Sequence, residues 1–228
     1  MGQKRFPGVH VLIFDLDGTL IDSKLDLALS VNAALAHMGH PALPHEQIYG
    51  YVGQGAPMLI RRSLGEGGNE QECQHALEFF LGYYHAHMLD NTTVYPGVRE
   101  GLAQLAGFHM AVLTNKPTRF SREILQGLGL AESFGYIYGG NSFERKKPDP
   151  TGVEVLLRDW KAAPREAMMV GDSEIDIQTA RNAGTWACGV TYGLGSAQLT
   201  KHPPDLLLDS LVELPSYLDH HRSSKRNA

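Results

Sequence analysis

Short apolar runs, separated by longer segments of mixed polarity, set the rhythm of this chain. Residues 9–14 are apolar and β-rich except at His10, and the run stops abruptly at Asp15-Leu-Asp-Gly-Thr. A short apolar run bounded by turn residues reads as a buried strand. Comparable runs follow at 109–114, 136–140, 167–171, 186–192 and 205–208, most of them separated by segments of helical character. Strand and helix alternating in this way predict a parallel sheet with helices on both faces, a doubly wound α/β domain. Ligands of such domains collect outside the carboxyl ends of the strands, where the strand order reverses.

The alternation is interrupted once. From Ser23 to Thr93 strand signals vanish and helical ones replace them. Asp22 and Ser23 supply a cap, and Leu25, Leu29 and Leu35 an apolar series that Gly39 ends. Pro57 suits a first helical turn before Met58, Leu59 and Ile60, and a longer helix is expected over 70–89. The expected organisation is therefore a discontinuous α/β core (1–22 and 93–218), a helical cap inserted at 23–92, and a polar, mobile tail at 219–228. The connections near Asp22 and Tyr95 are the expected hinges.

Composition narrows the function classes. At 228 residues with 43% hydrophobic and 20% charged residues, the chain resembles ordinary globular proteins and is long enough for a substantial core. Its net charge of -5 gives no cationic field for nucleic acid or an anionic membrane, so a small anionic substrate needs locally placed cations. The two cysteines, Cys73 and Cys188, lie far apart with no C-x-x-C pairing, which suits a reducing cytoplasm. The apolar run before Asp15 is too short for a signal core or a membrane span, so a soluble chain is expected.

The candidate chemistry sits at the strand ends. Asp15 and Asp17, two residues apart directly after a buried strand, repel one another, and a divalent cation is the simplest compensation; Gly18 supplies the sharp backbone path. By itself the motif also reads as a capped turn. Three later strand ends add Thr114-Asn115, Lys147-Pro-Asp-Pro and Gly171-Asp172-Ser-Glu-Ile-Asp176. Each alone has a bland reading, as a helix cap, a solvated charge or an acid at a helix start. Together they make a hydroxyl, an ammonium and further carboxylates at one edge of a sheet, a chemically complete phosphate site.

In these four motifs and their order the chain resembles the haloacid dehalogenase superfamily of phosphohydrolases, and its helical insertion is similar to the small cap of the phosphoglycolate phosphatases. The resemblance implies that Asp15 is the nucleophile and Asp17 the general acid and base. It implies that Thr114, with Asn115 beside it, and Lys147 hold the phosphoryl oxygens, and that Asp15, the backbone carbonyl of Asp17 and Asp172 bind Mg2+. Thr19, which closes the first motif, is a further candidate. Asp176 has three readings: orienting Lys147, orienting a metal-bound water, or capping the next helix.

The segment Val52-Gly53-Gln54-Gly55 resembles the cap loop of phosphoglycolate phosphatases, whose glycines bring backbone amides close to a small carboxylated substrate. Arg61 is the expected carboxylate partner, with Arg62 as the alternative; either also reads as a solvated helix face. His85 and His87, two apart on a helix, point to different faces and make a poor chelating pair. The function implied is Mg2+-dependent hydrolysis of a small phosphorylated metabolite, 2-phosphoglycolate, by a cytoplasmic monomer or homodimer. A phosphotransferring mutase or a pyrophosphatase is the alternative among enzymes, and a catalytically silent metabolite- or partner-binding protein the alternative outside them.

Overall fold

A computed structural model describes residues 5–65 and 68–219. Its central strand, β1 (Val11–Phe14), is wholly buried, as an unbroken run of β-branched and large apolar residues requires. In chain order there follow β2 (Ile21–Asp22), α1 (Lys24–His37), α2 (His45–Tyr49), α3 (Ala56–Leu64), α4 (Glu70–His87) and β3 (Thr93–Val94). The chain then alternates: α5 (Val98–Gln104), β4 (His109–Leu113), α6 (Thr118–Gly127), β5 (Tyr136–Tyr138), α7 (Thr151–Trp160), β6 (Ala167–Gly171), α8 (Glu174–Ala183), β7 (Trp186–Val190) and β8 (Leu206–Leu208).

Six of these strands form one parallel sheet in the order β5-β4-β1-β6-β7-β8. The chain builds outward from β1 on one side and then crosses to build outward on the other. The carboxyl end of β1 is therefore the point where strand order reverses, and Asp15 is the next residue. Alternate side chains serve opposite faces. Leu12, Phe14, Val112, Met168 and Val170 pack with α5 and α6, while Val11, Ile13, Ala111 and Met169 pack with α7 and α8. This is the doubly wound α/β arrangement expected, and Met168 and Met169 are both core residues of it.

The inserted helices pack on one another, with α4 lying against α1 and α3. Their apolar stripe differs from the expected one. Leu29 is 42% exposed, and the buried face of α1 is Leu27, Ala28, Val31, Ala34 and Leu35, the i, i+1, i+4, i+7, i+8 stripe that meets α4. Ser23 precedes α1 but makes no side-chain cap bond; its hydroxyl donates instead to Asp17 Oδ1 at 2.5 Å. The short α2 carried no expectation.

Both chain crossings between the helices and the sheet lie in one antiparallel ribbon, where Ile21 pairs with Val94 and Asp22 with Thr93. Asp26, 1% exposed, fastens it: its carboxylate accepts from the amides of Asn91 (3.0 Å) and Thr92 (2.8 Å) and from the side chains of both. Among the described residues no helix is long and apolar enough to cross a membrane. Of the expected tail only Asp219 is described; 220–228, like residues 66 and 67, lie outside the described residues.

Candidate active site

The backbone of Asp15 is held where β1 ends, its N–H donating to Val170 O at 2.9 Å. Two residues on, Gly18 has φ +85°, and a Cβ there would lie 2.3 Å from Asp172 Oδ2. Glycine is thus required twice, for the backbone conformation and for the close passage of the chain beside Asp172. Lys147 reaches the same spot from the loop after β5, its Nζ 2.9 Å from Asp15 Oδ1 and donating to Asp176 Oδ1 at 2.6 Å. The other oxygen of Asp176 accepts from the N–H (3.1 Å) and hydroxyl (2.7 Å) of Ser173 at the start of α8. Asp176 therefore orients Lys147 and caps α8 at once.

Asp15, Asp172 and Asp176 are buried, with carboxylate oxygens within 4.8 Å of one another. Burial raises Asp15 to about 6, with Lys147 pulling it back down and Asp176 pushing it up. Burial also lifts Asp172 to about 8, helped by Asp176 and Asp15. Burial alone would lower Lys147, yet its two carboxylate neighbours hold it above the usual ammonium range. Three buried carboxylates around one ammonium leave the cluster short of positive charge, which a hard divalent cation with oxygen ligands relieves. Asp172 accepts from Gly195 N at 2.8 Å and Thr19 Oγ1 at 3.3 Å, which fixes its orientation, while Asp15 Oδ1 faces the Lys147 ammonium at 2.9 Å. Asp176 gives one oxygen to the Lys147 ammonium and the other to Ser173, whereas Asp172 meets only the neutral donors Thr19 and Gly195, which leaves it the better placed ligand beside Asp15.

Thr114 and Asn115 follow β4 and line the same cavity as Asp15 and Asp17. Asn115 Nδ2 donates to Lys147 O at 3.1 Å and, across the gap, to Gly53 O at 3.0 Å. The residue that sequence reasoning missed is Lys116. Its side chain is 4% exposed, and its Nζ donates to both oxygens of Asp17, at 2.9 and 3.0 Å. A signal was present: Thr114 and Lys116 stand at the same two-residue offset after a strand as Asp15 and Asp17 do. Ser23, the second partner of Asp17, had been assigned to the helix cap.

The cap loop lies over this edge of the sheet. Gly53 and Gly55 line the cavity, and Gly55, at φ +86°, comes so near that a Cβ would stand 3.1 Å from Asn115 O and from Lys146 Nζ. Lys146 Nζ donates to Gln54 O at 2.6 Å, a second tie between loop and core. The two arginines part. Arg61 pairs with Glu70, its side chain 52% exposed, and does not line the cavity that holds Asp15. Arg62 donates to Gln54 Oε1 at 2.9 Å and lines a neighbouring polar cavity with Asp15, Asp17 and Asp172. His85 faces Glu123 and His87 faces Asp90, each at 2.8 Å, on different sides of α4.

A profile of the family described as haloacid dehalogenase-like hydrolase matches residues 12–190. The chain belongs to that family. With relatives that carry phosphatase names, this member of the family is a phosphoric monoester hydrolase. A phosphoglycolate phosphatase of Vibrio parahaemolyticus is 40% identical over 217 residues, covering 90% of this chain and 94% of that one. One of Pseudomonas savastanoi is 38% identical over 218 residues, covering 92% and 80%. The crystal structure of a predicted phosphoglycolate phosphatase from Haemophilus somnus superposes with a TM-score of 0.87 at 32% identity, covering 92% of this chain and 97% of that one.

Proposed function

We propose that this phosphatase hydrolyses 2-phosphoglycolate, with Mg2+ as its metal and an aspartyl-phosphate on Asp15 as its intermediate. The observation that carries the reading is the junction of Asp15 with Lys147 at 2.9 Å, inside a buried acidic cluster and beside Thr114 and Asn115. Asp15 attacks phosphorus in line and expels the alkoxide. Lys147, held by Asp176, neutralises charge on the phosphoryl oxygens, and the Thr114 hydroxyl and the Asn115 backbone N–H donate to them. Asp17, which must take up a proton before the step, gives it to the leaving alkoxide and then takes one from the water that hydrolyses the acyl phosphate. The ion, held by Asp15, Asp172 and the carbonyl of Asp17, would supply Lewis-acid shielding between the Asp15 carboxylate and the anionic ester.

The names of the relatives and the glycine loop above the site support a small ester as substrate. Residues 23–92 serve in this reading as a lid that swings on the β2–β3 ribbon, closing on Asn115 and Lys146 and excluding water. The two cysteines are buried free thiols, which agrees with a cytoplasmic enzyme.

Phosphate release from 2-phosphoglycolate, pyrophosphate, sugar phosphates and an aryl phosphate, with and without Mg2+, tests the proposal. Expected is Mg2+-dependent release with a preference for 2-phosphoglycolate, lost in Asp15→Asn and falling by at least about a hundredfold in Asp17→Asn. Transfer of phosphate between sugar positions without release would overturn the hydrolase reading.

A further inference from the structure

The ring of Tyr84 is accounted for by packing: it stacks on Phe80 at 5.6 Å and meets Phe120 edge-on at 5.7 Å. Its hydroxyl is not. Tyr84 is 1% exposed and lines the cavity with Asp15 and Asp17; among the described residues its oxygen has no hydrogen bond of good geometry, although the Lys116 ammonium lies near enough to draw the phenol down. A phenylalanine would serve the stack equally well, and a buried hydroxyl without a partner is a destabilising choice unless something arrives to meet it. Burial pushes the phenol up to about 12, so it remains a donor. Lys116 Nζ stands 4.7 Å from the centre of the same ring. Of its three N–H groups Asp17 takes two, at 2.9 and 3.0 Å.

Direction along the substrate follows from Asp17. The group that protonates the leaving oxygen must stand on the leaving-group side of phosphorus, so Lys116 and Tyr84, beside and beyond it, face the part of the ester that departs. Leu27, Leu59 and Phe120 wall that space and suit a short hydrocarbon link. The cap arginines stand elsewhere: Arg61 is turned to Glu70, and Arg62, held by Gln54, lines the adjoining cavity that reaches Asp15 and Asp17 from the side of Asp172 and Ser173.

We infer that the Tyr84 hydroxyl and the Lys116 ammonium together receive an anionic group on the leaving alcohol, making the enzyme selective for phosphate esters of short hydroxy acids. This rests on the phosphatase reading above and assigns specificity to a core lysine and a cap tyrosine instead of to the cap arginines. Tyr84 arrives with the lid, so the anion also joins lid to core.

The test compares Tyr84→Phe and Arg62→Ala with wild type in two readouts. One is kcat/KM for 2-phosphoglycolate against 2-hydroxyethyl phosphate, its uncharged counterpart. The other is calorimetric affinity for 3-phosphonopropionate against propylphosphonate, which needs no turnover. Tyr84→Phe is expected to cut the preference for the acid about tenfold in both, as loss of one hydrogen bond to a charged group would. Arg62→Ala is expected to leave the preference in place. An unchanged preference in Tyr84→Phe, a preference lost in Arg62→Ala alone, or no preference in wild type overturns the inference. Wild type that binds the acid phosphonate preferentially but releases phosphate from neither ester overturns the hydrolase reading and leaves this inference standing.

Discussion

Replacing Lys147 by methionine keeps most of its volume and removes the one ammonium that touches both Asp15 and Asp176. The lysine side chain is 2% exposed and that of Asp176 0%, so water cannot take over the lost role. Breaking a buried ion pair from one side costs about 3–5 kcal/mol, because the partner stays behind uncompensated. For a chain of this size that is a fall in Tm of roughly 6–20 °C. The penalty must depend on pH. Without Lys147 the cluster relieves itself by taking up a proton, which is easy at pH 5, near the already raised value of about 6 for Asp15, and costs up to about 1.4 kcal/mol more per pH unit above it. Urea unfolding in chelator, at pH 5 and pH 7.5, for wild type, Lys147→Met, Asp176→Asn and the double variant measures both effects. Expected are a larger penalty at pH 7.5 than at pH 5 and a double variant more stable than Lys147→Met alone. A single variant within about 1 kcal/mol of wild type at pH 7.5, or a penalty independent of pH, would refute the account of Lys147 as the counter-charge of a buried acidic cluster.

Two further expectations concern the same electrostatics and the hinge. With Asp15 and Asp172 raised to about 6 and about 8 in the fold, the metal-free native state binds more protons than the unfolded chain from about pH 4 upward. Its stability should therefore fall as pH rises from 5 to 8 and the fall should flatten when Mg2+ is added; urea midpoints that rise with pH in chelator would contradict this. At the ribbon, Asp26→Ala strands the buried amide of Thr92 and the amide of Asn91 together with both their side chains, and should lower stability by about 3–5 kcal/mol in the same assay. A loss under about 1 kcal/mol would show that water replaces the carboxylate there.

The edge that carries the candidate site was legible because parallel strands all end on one side of their sheet. Once residues 9–14, 109–114 and 167–171 are read as parallel strands, Asp15, Thr114 and Asp172 must converge, whatever the loops between them do. Helix existence was legible for the same local reasons, but the facing of α1 was not: Leu25, Leu29 and Leu35 satisfy an apolar count, and only the position of α4 decides that Leu29 faces out. Ser23 shows the limit of local rules from the other direction. It stands where a cap residue belongs, yet the Asp17 carboxylate six residues earlier offers its hydroxyl a charged acceptor at 2.5 Å, and a charge-assisted bond outweighs a neutral cap.

Lys116 and Tyr84 escaped for a deeper reason. Each is unremarkable in its own segment, a lysine in a turn and an aromatic four residues after Phe80 on a helix. Their meeting is a contact between the inserted helices and the sheet, 32 residues apart in sequence and decided by how α4 lies over α6. Such contacts carry no periodicity, so nothing local announces them. It follows that the parts of this enzyme common to any phosphate ester, built on strand ends, are the parts a sequence discloses. On the proposed reading, the parts that choose among esters lie where the inserted helices meet the core, and they become visible only when a buried polar atom such as the Tyr84 hydroxyl is found without a well-formed hydrogen bond among the described residues.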